Sequence, residues 1–204
     1  FVTRLPASSF EKTGSQGELR GLAVLSVLSP LVARAAGNPL MPSVGQPASG
    51  QWYFTADDWV PNNPQLPVIH VSLPGAAVTD AAAVSHLLRQ YGWQAQWQAA
   101  PFAFQHFHST SHQLLTVMQG EGVMRVGGAH GKLRSLTPGD ILILPAGTGQ
   151  QLVSSSDDFQ VLAAYPEGQC WDVCRSAISS TAIRRMAGLP LPDHAPMVAA
   201  LQKI

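Results

Sequence analysis

The chain has 204 residues, a formal net charge of zero at pH 7 and only 12% charged residues. This length allows one domain with a full hydrophobic core, and the neutral balance excludes the broad basic surface that nucleic acids and anionic lipids select. Sixteen prolines and eighteen glycines are spread along the chain, which favours short strands and turns over a helical bundle.

Residues 1–50 are predicted to be a leader and linker, because they mix Ser, Gly, Pro and Ala without the alternation of a strand. An apolar run follows Arg20, and Ala33 and Ala35 supply a small-x-small cleavage pattern. Two alternatives follow. A signal peptide that ends near residue 35 would place the protein in the periplasm or outside the cell. A helix at the edge of the domain would leave it in the cytoplasm. No apolar run is long enough to predict a membrane span.

The rest of the chain is predicted to contain one helix and a succession of short strands. The helix begins after Asp80, a favourable N-cap, and ends at Gly92. The tight breaks "QGEG" and "GGAHGK" are predicted to be hairpin turns. Strands are predicted at 66–73, 102–108, 113–119, 122–128, 140–144, 150–155 and 159–166. Strands this short must close on themselves or pack as two sheets, which predicts a sandwich or barrel.

The stretch "HFHSTSHQLL" gives the clearest chemical signal. His106 and His108 stand two residues apart, so their side chains share one face of an extended strand. His112 has the opposite parity to Gln113, and it is predicted to point away from that face as an exposed or hairpin-end histidine that hydrogen-bonds the backbone. The spacing of the other histidines supports no role for them.

The glycine, proline and histidine spacing resembles the two motifs of cupins, which are double-stranded β-helix (jelly-roll) barrels. The first motif aligns with Ala100, His106, His108, Gln113 and Gly120, and the second with Gly139, Pro145, Gly147, Gln150 and Ser154. A closer resemblance, to YjlB-like bacterial cupins, covers residues 52–197 through stretches such as "FTADDWVPNNPQLPV" and "LPLPDHAPM". The resemblance implies an all-β cupin barrel at 51–204 with a short N-terminal helical segment.

The resemblance also implies a metal centre that has lost half of its ligands. In cupins, the positions of His106, His108, Gln113 and Gln150 hold an ion such as Ni, Zn, Mn, Fe or Cu. Here glutamine replaces a glutamate and a histidine, so a weakly held divalent ion or none is expected. His112 is a less favoured third metal ligand.

Three functions stay open at this point. The preferred one is a module that binds a small polar molecule through His106, His108, Gln113 and Gln150, with a metal-free isomerase that uses a histidine base as a variant. The second is a metal-dependent oxygenase or isomerase. The third is a structural cupin without activity.

Two further expectations concern assembly and the cysteines. A homodimer is expected because small jelly rolls often bury an edge strand against a second copy, and Trp93 or Trp97 would cover the barrel or form that contact. Cys170 and Cys174 are interpreted as two ordinary thiols or one local disulfide.

Overall fold

The structure is a computed structural model that describes residues 2–3, 49–73 and 80–204, with the backbone alone described at 2–3. These residues belong to the first of the two units into which the chain divides, residues 1–5 with 47–204. The predicted signal peptide and nearly all of the predicted linker lie outside the described residues, so both stay predictions.

Eleven strands occur in the described residues. In chain order they are β1 (Val2–Thr3), β2 (Gly50–Trp52), β3 (Val68–Ser72), β4 (Trp93–Ala99), β5 (Gln113–Gln119), β6 (Gly122–Val126), β7 (Lys132–Leu136), β8 (Asp140–Leu144), β9 (Gln150–Ser155), β10 (Gln160–Pro166) and β11 (Val173–Cys174). The larger sheet has the order β2-β3-β8-β5-β10-β4 and the smaller one β7-β6-β9, while β1 pairs with β11. The pairings between these strands are antiparallel, and most join strands distant in sequence, as in a jelly roll. The predicted fold class is confirmed.

Two of the predicted strand and turn assignments are wrong. Residues 102–108 form no regular strand, because His106 bridges to Gln150 while the next residue, Phe107, bridges to Cys174. The turn "QGEG" joins strands that do not pair, since β5 pairs with β8 and β10 and β6 pairs with β7 and β9. It is therefore a corner between the two sheets, whereas "GGAHGK" is a true hairpin between β6 and β7.

Three helices occur in the described residues, α1 (Ala81–Gln90), α2 (Ser180–Ala187) and α3 (Ala195–Leu201). The first matches the predicted helix: Asp80 caps it by accepting from two backbone N–H groups, and Gly92 follows with a φ of +84°. The sequence analysis found no element after residue 166, so α2 and α3 were missed. None of these helices is long and apolar enough to cross a membrane.

Strand β5 shows how the layers cover the larger sheet. Leu114 packs in one buried cluster with Leu88 of α1 and Met197 of α3, whereas Leu115 packs in a second cluster with residues of both sheets. Because both faces of β5 are covered, its sequence is a continuous apolar run instead of an alternating one. The histidine cluster described below lies just before this strand.

Strand β4 was not predicted, and it contains the two tryptophans that were expected to cover the barrel or to form a dimer contact. Trp93 is 0% exposed and belongs to the first cluster, so it is not available for contact with a second copy. Trp97 is half-buried against the second cluster. A bulge at Gln96 shifts the register between β4 and β10.

Candidate functional site

A single short segment carries the two histidines that the sequence singles out. His106 exchanges two backbone hydrogen bonds with Gln150 of β9, and Phe107 exchanges two with Cys174 of β11. The segment is therefore hydrogen-bonded to β9 through His106 and to β11 through Phe107. The rings of His106 and His108 lie together with their centroids 5.5 Å apart, as their parity predicted.

The backbone fixes the same tautomer in both rings. Nδ1 of His106 lies 2.9 Å from the carbonyl oxygen of Phe104, and Nδ1 of His108 contacts the carbonyl oxygen of Asp172. A carbonyl oxygen can only accept, so each Nδ1 carries the proton and each Nε2 carries a lone pair. Nε2 of His108 is buried and has no hydrogen-bond partner among the described residues.

Both imidazoles are held neutral. Burial lowers the pKa of His106 to about 3, and the neighbouring His108 and Arg175 act in the same direction. Burial also lowers the pKa of His108, against the opposing effects of the Asp172 carbonyl and carboxylate and of Gln113. At neutral pH the pair therefore offers two hydrogen-bond acceptors and no positive charge.

The two glutamines are drawn into a network of their own. Gln150 donates its amide to Oε1 of Gln113 at 2.7 Å, and Gln113 donates to the hydroxyl of Tyr165 at 3.0 Å. Trp97 donates its indole N–H to the same hydroxyl at 2.9 Å. Burial raises the pKa of Tyr165, so the phenol stays protonated. The structure thus brings Gln113 and Gln150 together and links them to two residues that the sequence analysis gave no polar role.

Asp172 is the residue that the sequence analysis missed entirely. Its carboxylate accepts from the backbone N–H and the hydroxyl of Ser109 and from the thiol of Cys174, while its carbonyl holds His108. Burial would raise the pKa of Asp172, but these hydrogen bonds keep it below its ordinary value. The segment "CWDVC" therefore positions the histidines, and both of its cysteines are free.

His112 was expected to be an exposed or hairpin-end histidine, and the exposed alternative is wrong. The ring is 0% exposed, with Nδ1 accepting from the backbone N–H of Ala146 at 2.8 Å and Nε2 donating to the carbonyl of Leu189 at 3.0 Å. The predicted backbone hydrogen bonding is confirmed. The loop before α3, where the sequence analysis predicted no element, supplies the Leu189 carbonyl, and both ring nitrogens are occupied.

Aromatic side chains surround the paired histidines. The rings of Tyr165 and Trp171 stack with centroids 5.4 Å apart, and each meets His108 edge-on. On the other side Phe102 and Phe104 stack at 4.7 Å and each meets His106 edge-on. The guanidinium of Arg175 lies 4.1 Å above the centroid of Phe104. Aromatic walls with a few polar groups are typical of small-molecule sites.

Two other histidines have partners of a different kind. Nδ1 of His70 accepts from the guanidinium of Arg134 at 2.9 Å, and its Nε2 lies 3.4 Å from the carboxylate of Asp140. His130 is exposed and pairs with Asp57 at 2.9 Å. Residue spacing carries no signal for either arrangement, because the partners are far away along the chain.

The donor set does not fit a tightly bound transition metal. No group of three or more His, Cys, Asp or Glu side chains that could hold an ion occurs in the described part of the chain. Two neutral Nε2 lone pairs remain, while the amides of Gln113 and Gln150 bind each other and Tyr165. Without a carboxylate to balance its charge, a divalent ion would be held weakly.

Sequence comparison with known proteins identifies a family and a relative of this chain. The family model of the AraC-like ligand binding domain matches residues 93–204. The uncharacterized protein YjlB of Bacillus subtilis is 35% identical over 124 residues, which cover 60% of this chain and 73% of that protein.

Two solved structures are less similar. The acireductone dioxygenase from Bacillus anthracis, with a cadmium ion in its active center, is 22% identical over 49% of this chain and 48% of that chain, with a TM-score of 0.25. The match thus spans about half of the dioxygenase. The plu4264 protein from Photorhabdus luminescens is 16% identical over 56% of this chain and 88% of that chain, with a TM-score of 0.30. Likenesses this weak carry no argument about activity.

The family match extends over more than half of the chain, and the identity to YjlB extends over most of that protein. The chain therefore belongs to the AraC-like ligand binding domains of cupin type and is a YjlB-like cupin.

Proposed function

We propose that this cupin binds a small polar molecule without a resident metal, and that His106, His108, Gln113 and Gln150 form the polar part of the site. The observation that carries the proposal is the lone pair of His108 Nε2, which is buried and meets no partner in the part of the chain that the structure describes. A buried acceptor left unpaired costs about 1–3 kcal/mol, and a bound hydroxyl or amide donor would remove that cost.

The chemistry of the cluster defines the ligand. Nε2 of His106 and of His108 can each accept a hydrogen bond, and neither ring is charged at neutral pH. The ligand must therefore bring donors, such as two hydroxyl groups. The stacked pair of Tyr165 and Trp171 supplies an aromatic face of the kind that packs against sugar rings or planar groups. A polyhydroxylated molecule fits these requirements.

The low pKa of His106 favours binding over catalysis by this residue. A general base works best with a pKa near the working pH, and His106, with a pKa of about 3, is a weak base at pH 7. The metal-free isomerase with His106 as its base is accordingly the weaker proposal. The metal-dependent enzyme is weaker as well, because the donor set lacks a carboxylate.

A ligand screen tests the proposal. Thermal denaturation with a library of sugars, polyols and small amides, followed by calorimetry, should yield at least one ligand. His106→Ala should weaken that ligand about fivefold, since one hydrogen bond is worth about 1 kcal/mol. His86→Ala is the matched control, because His86 is exposed on α1 and contacts only Gln90 through its ring. Equal affinity in wild type and His106→Ala would refute the proposal.

The homodimer is a separate proposal about the assembled protein. Strand β4 is paired on one side only among the described strands, but its bulge at Gln96 disfavours simple strand addition. Light scattering coupled to size-exclusion chromatography should give twice the chain mass if the dimer forms, and the mass of one chain otherwise.

A further inference from the structure

Arg175 is a cation that lies beside the proposed ligand site. It follows β11 directly, its side chain is exposed, and its guanidinium rests on the ring of Phe104 at 4.1 Å. No described carboxylate lies within salt-bridge distance of it. The Phe104 ring in turn meets His106, with their centroids 5.5 Å apart. Arg175 is thus one aromatic ring away from the buried acceptors.

The position of Arg175 is fixed by stacking instead of by an ion pair. A guanidinium that stacks on an aromatic face keeps its five N–H donors in the plane free for another group. Those donors match the two oxygens of a carboxylate, which arginine binds in a two-pronged geometry. The nearest acid to His108, Asp172, is already occupied by Ser109 and Cys174.

We propose that Arg175 binds the carboxylate of the ligand while His106 and His108 accept hydrogen bonds from its hydroxyl groups. The ligand class is then a small polyhydroxylated acid, such as a sugar acid. Arg175 rests on Phe104, whose ring meets His106, and its charge acts directly on His106, so the cation and this imidazole lie in the same neighbourhood. This inference rests on the proposed function and narrows it to acidic ligands.

Two independent features support this assignment. The Nε2 of His108, which has no partner among the described residues, suits a ligand with donors, and the guanidinium of Arg175, which pairs with no described carboxylate, suits an anionic group on the same molecule. The Asp172 carboxylate lies close enough to His108 to act on it electrostatically. Its negative charge would repel a ligand carboxylate placed beside His108. The carboxylate of the ligand must therefore lie at the Arg175 side of the site and its hydroxyl groups at the His108 side.

Matched probe pairs test the assignment. Calorimetry would compare D-arabinose with D-arabinonate, D-glucose with D-gluconate, and glycerol with D-glycerate. In the wild type we expect the acid of a pair to bind about tenfold more tightly than its neutral partner, because charge-assisted hydrogen bonds are about twice as strong as neutral ones. Arg175→Gln should abolish that preference by weakening the acid more than its neutral partner. Arg184→Gln is the control, since Arg184 is exposed on α2 and contacts Thr181.

The outcomes separate this inference from the proposed function. Equal binding of acid and neutral partner by the wild type, or a preference that survives Arg175→Gln, overturns the assignment of Arg175 while the polar site stands. Binding that His106→Ala does not weaken, or no binding of either member of any pair, overturns both. Arg175→Lys adds a further check. Lysine keeps the positive charge but cannot bind a carboxylate in the two-pronged geometry of arginine, so this variant should retain only part of the preference for the acid.

Discussion

His108 and His112 are both buried, lie four residues apart and have opposite roles. His112 uses both ring nitrogens on backbone groups, Ala146 N–H and Leu189 C=O. His108 uses only Nδ1, on the carbonyl of Asp172, and its Nε2 has no described partner. Burial alone therefore says little about the function of a histidine. The unsatisfied Nε2, together with the polar and aromatic groups around it, is what makes His108 a candidate for ligand binding, whereas His112 is not one.

The largest effect is expected where the lost ligand chemistry is restored. Gln113→Glu combined with Gln150→His returns a carboxylate and a third imidazole to the pair His106 and His108. Even outer ligand partners change metal affinity about ten- to a hundredfold, so the double variant should bind Ni or Zn at least about a hundredfold more tightly than wild type. Calorimetry with each ion measures this. His112 should not matter: the same gain is expected in its presence and in His112→Phe, provided that variant folds.

The metal content of the wild type should show the opposite result, a site that retains little or no ion. After dialysis against Ni, Zn, Mn, Fe and Cu, elemental mass spectrometry should find well below one ion per chain. Stoichiometric metal in wild type that is lost in His106→Ala would contradict the metal-free site.

Stability should separate His108 from His112. His112→Phe leaves two buried backbone groups unpaired, at Ala146 and Leu189, whereas His108→Phe leaves one, at Asp172. Each costs about 1–3 kcal/mol, so His112→Phe should lower the free energy of unfolding by about 2–6 kcal/mol and His108→Phe by about 1–3 kcal/mol. Urea denaturation measures both. Equal losses would mean that the two histidines are equally structural.

The Asp172 carboxylate should contribute stability only above its unfolded pKa. Its folded pKa is lowered from 3.8, so its contribution is present at neutral pH and is lost as pH falls below about 4. Asp172→Asn should therefore cost about 1–3 kcal/mol at pH 7 and progressively less in acid. Denaturation of both proteins between pH 7 and pH 3 checks this. A constant difference across that range would show that the charge is irrelevant.

The last prediction concerns the titration of His106. Its folded pKa lies below the unfolded value of 6.5, at about 3, so the unfolded chain binds a proton that the folded chain does not. Stability should fall as pH drops from about 6.5 towards 3, and His106→Phe should show a shallower fall over that window. Parallel slopes for the variant and the wild type would indicate that His106 titrates normally.

The sequence predicted those features that depend on neighbouring residues. Parity placed His106 and His108 on one face, Asp80 capped α1, and motif spacing identified the jelly roll. It failed where distant segments meet. Asp172 contacts Ser109 and His108, which lie more than sixty residues away along the chain. The Leu189 carbonyl accepts a hydrogen bond from His112, which lies 77 residues away. No local periodicity records such contacts.

The tautomers of the three histidines test the central claim most directly. Long-range proton–nitrogen NMR correlations of the imidazole rings at pH 7 distinguish a protonated from an unprotonated ring nitrogen. The structure predicts a proton on Nδ1 in His106 and His108 and on Nε2 in His112. That result would establish two open acceptors in the proposed site beside a saturated histidine. Protonated Nε2 in His106 and His108, or charged rings, would contradict the account.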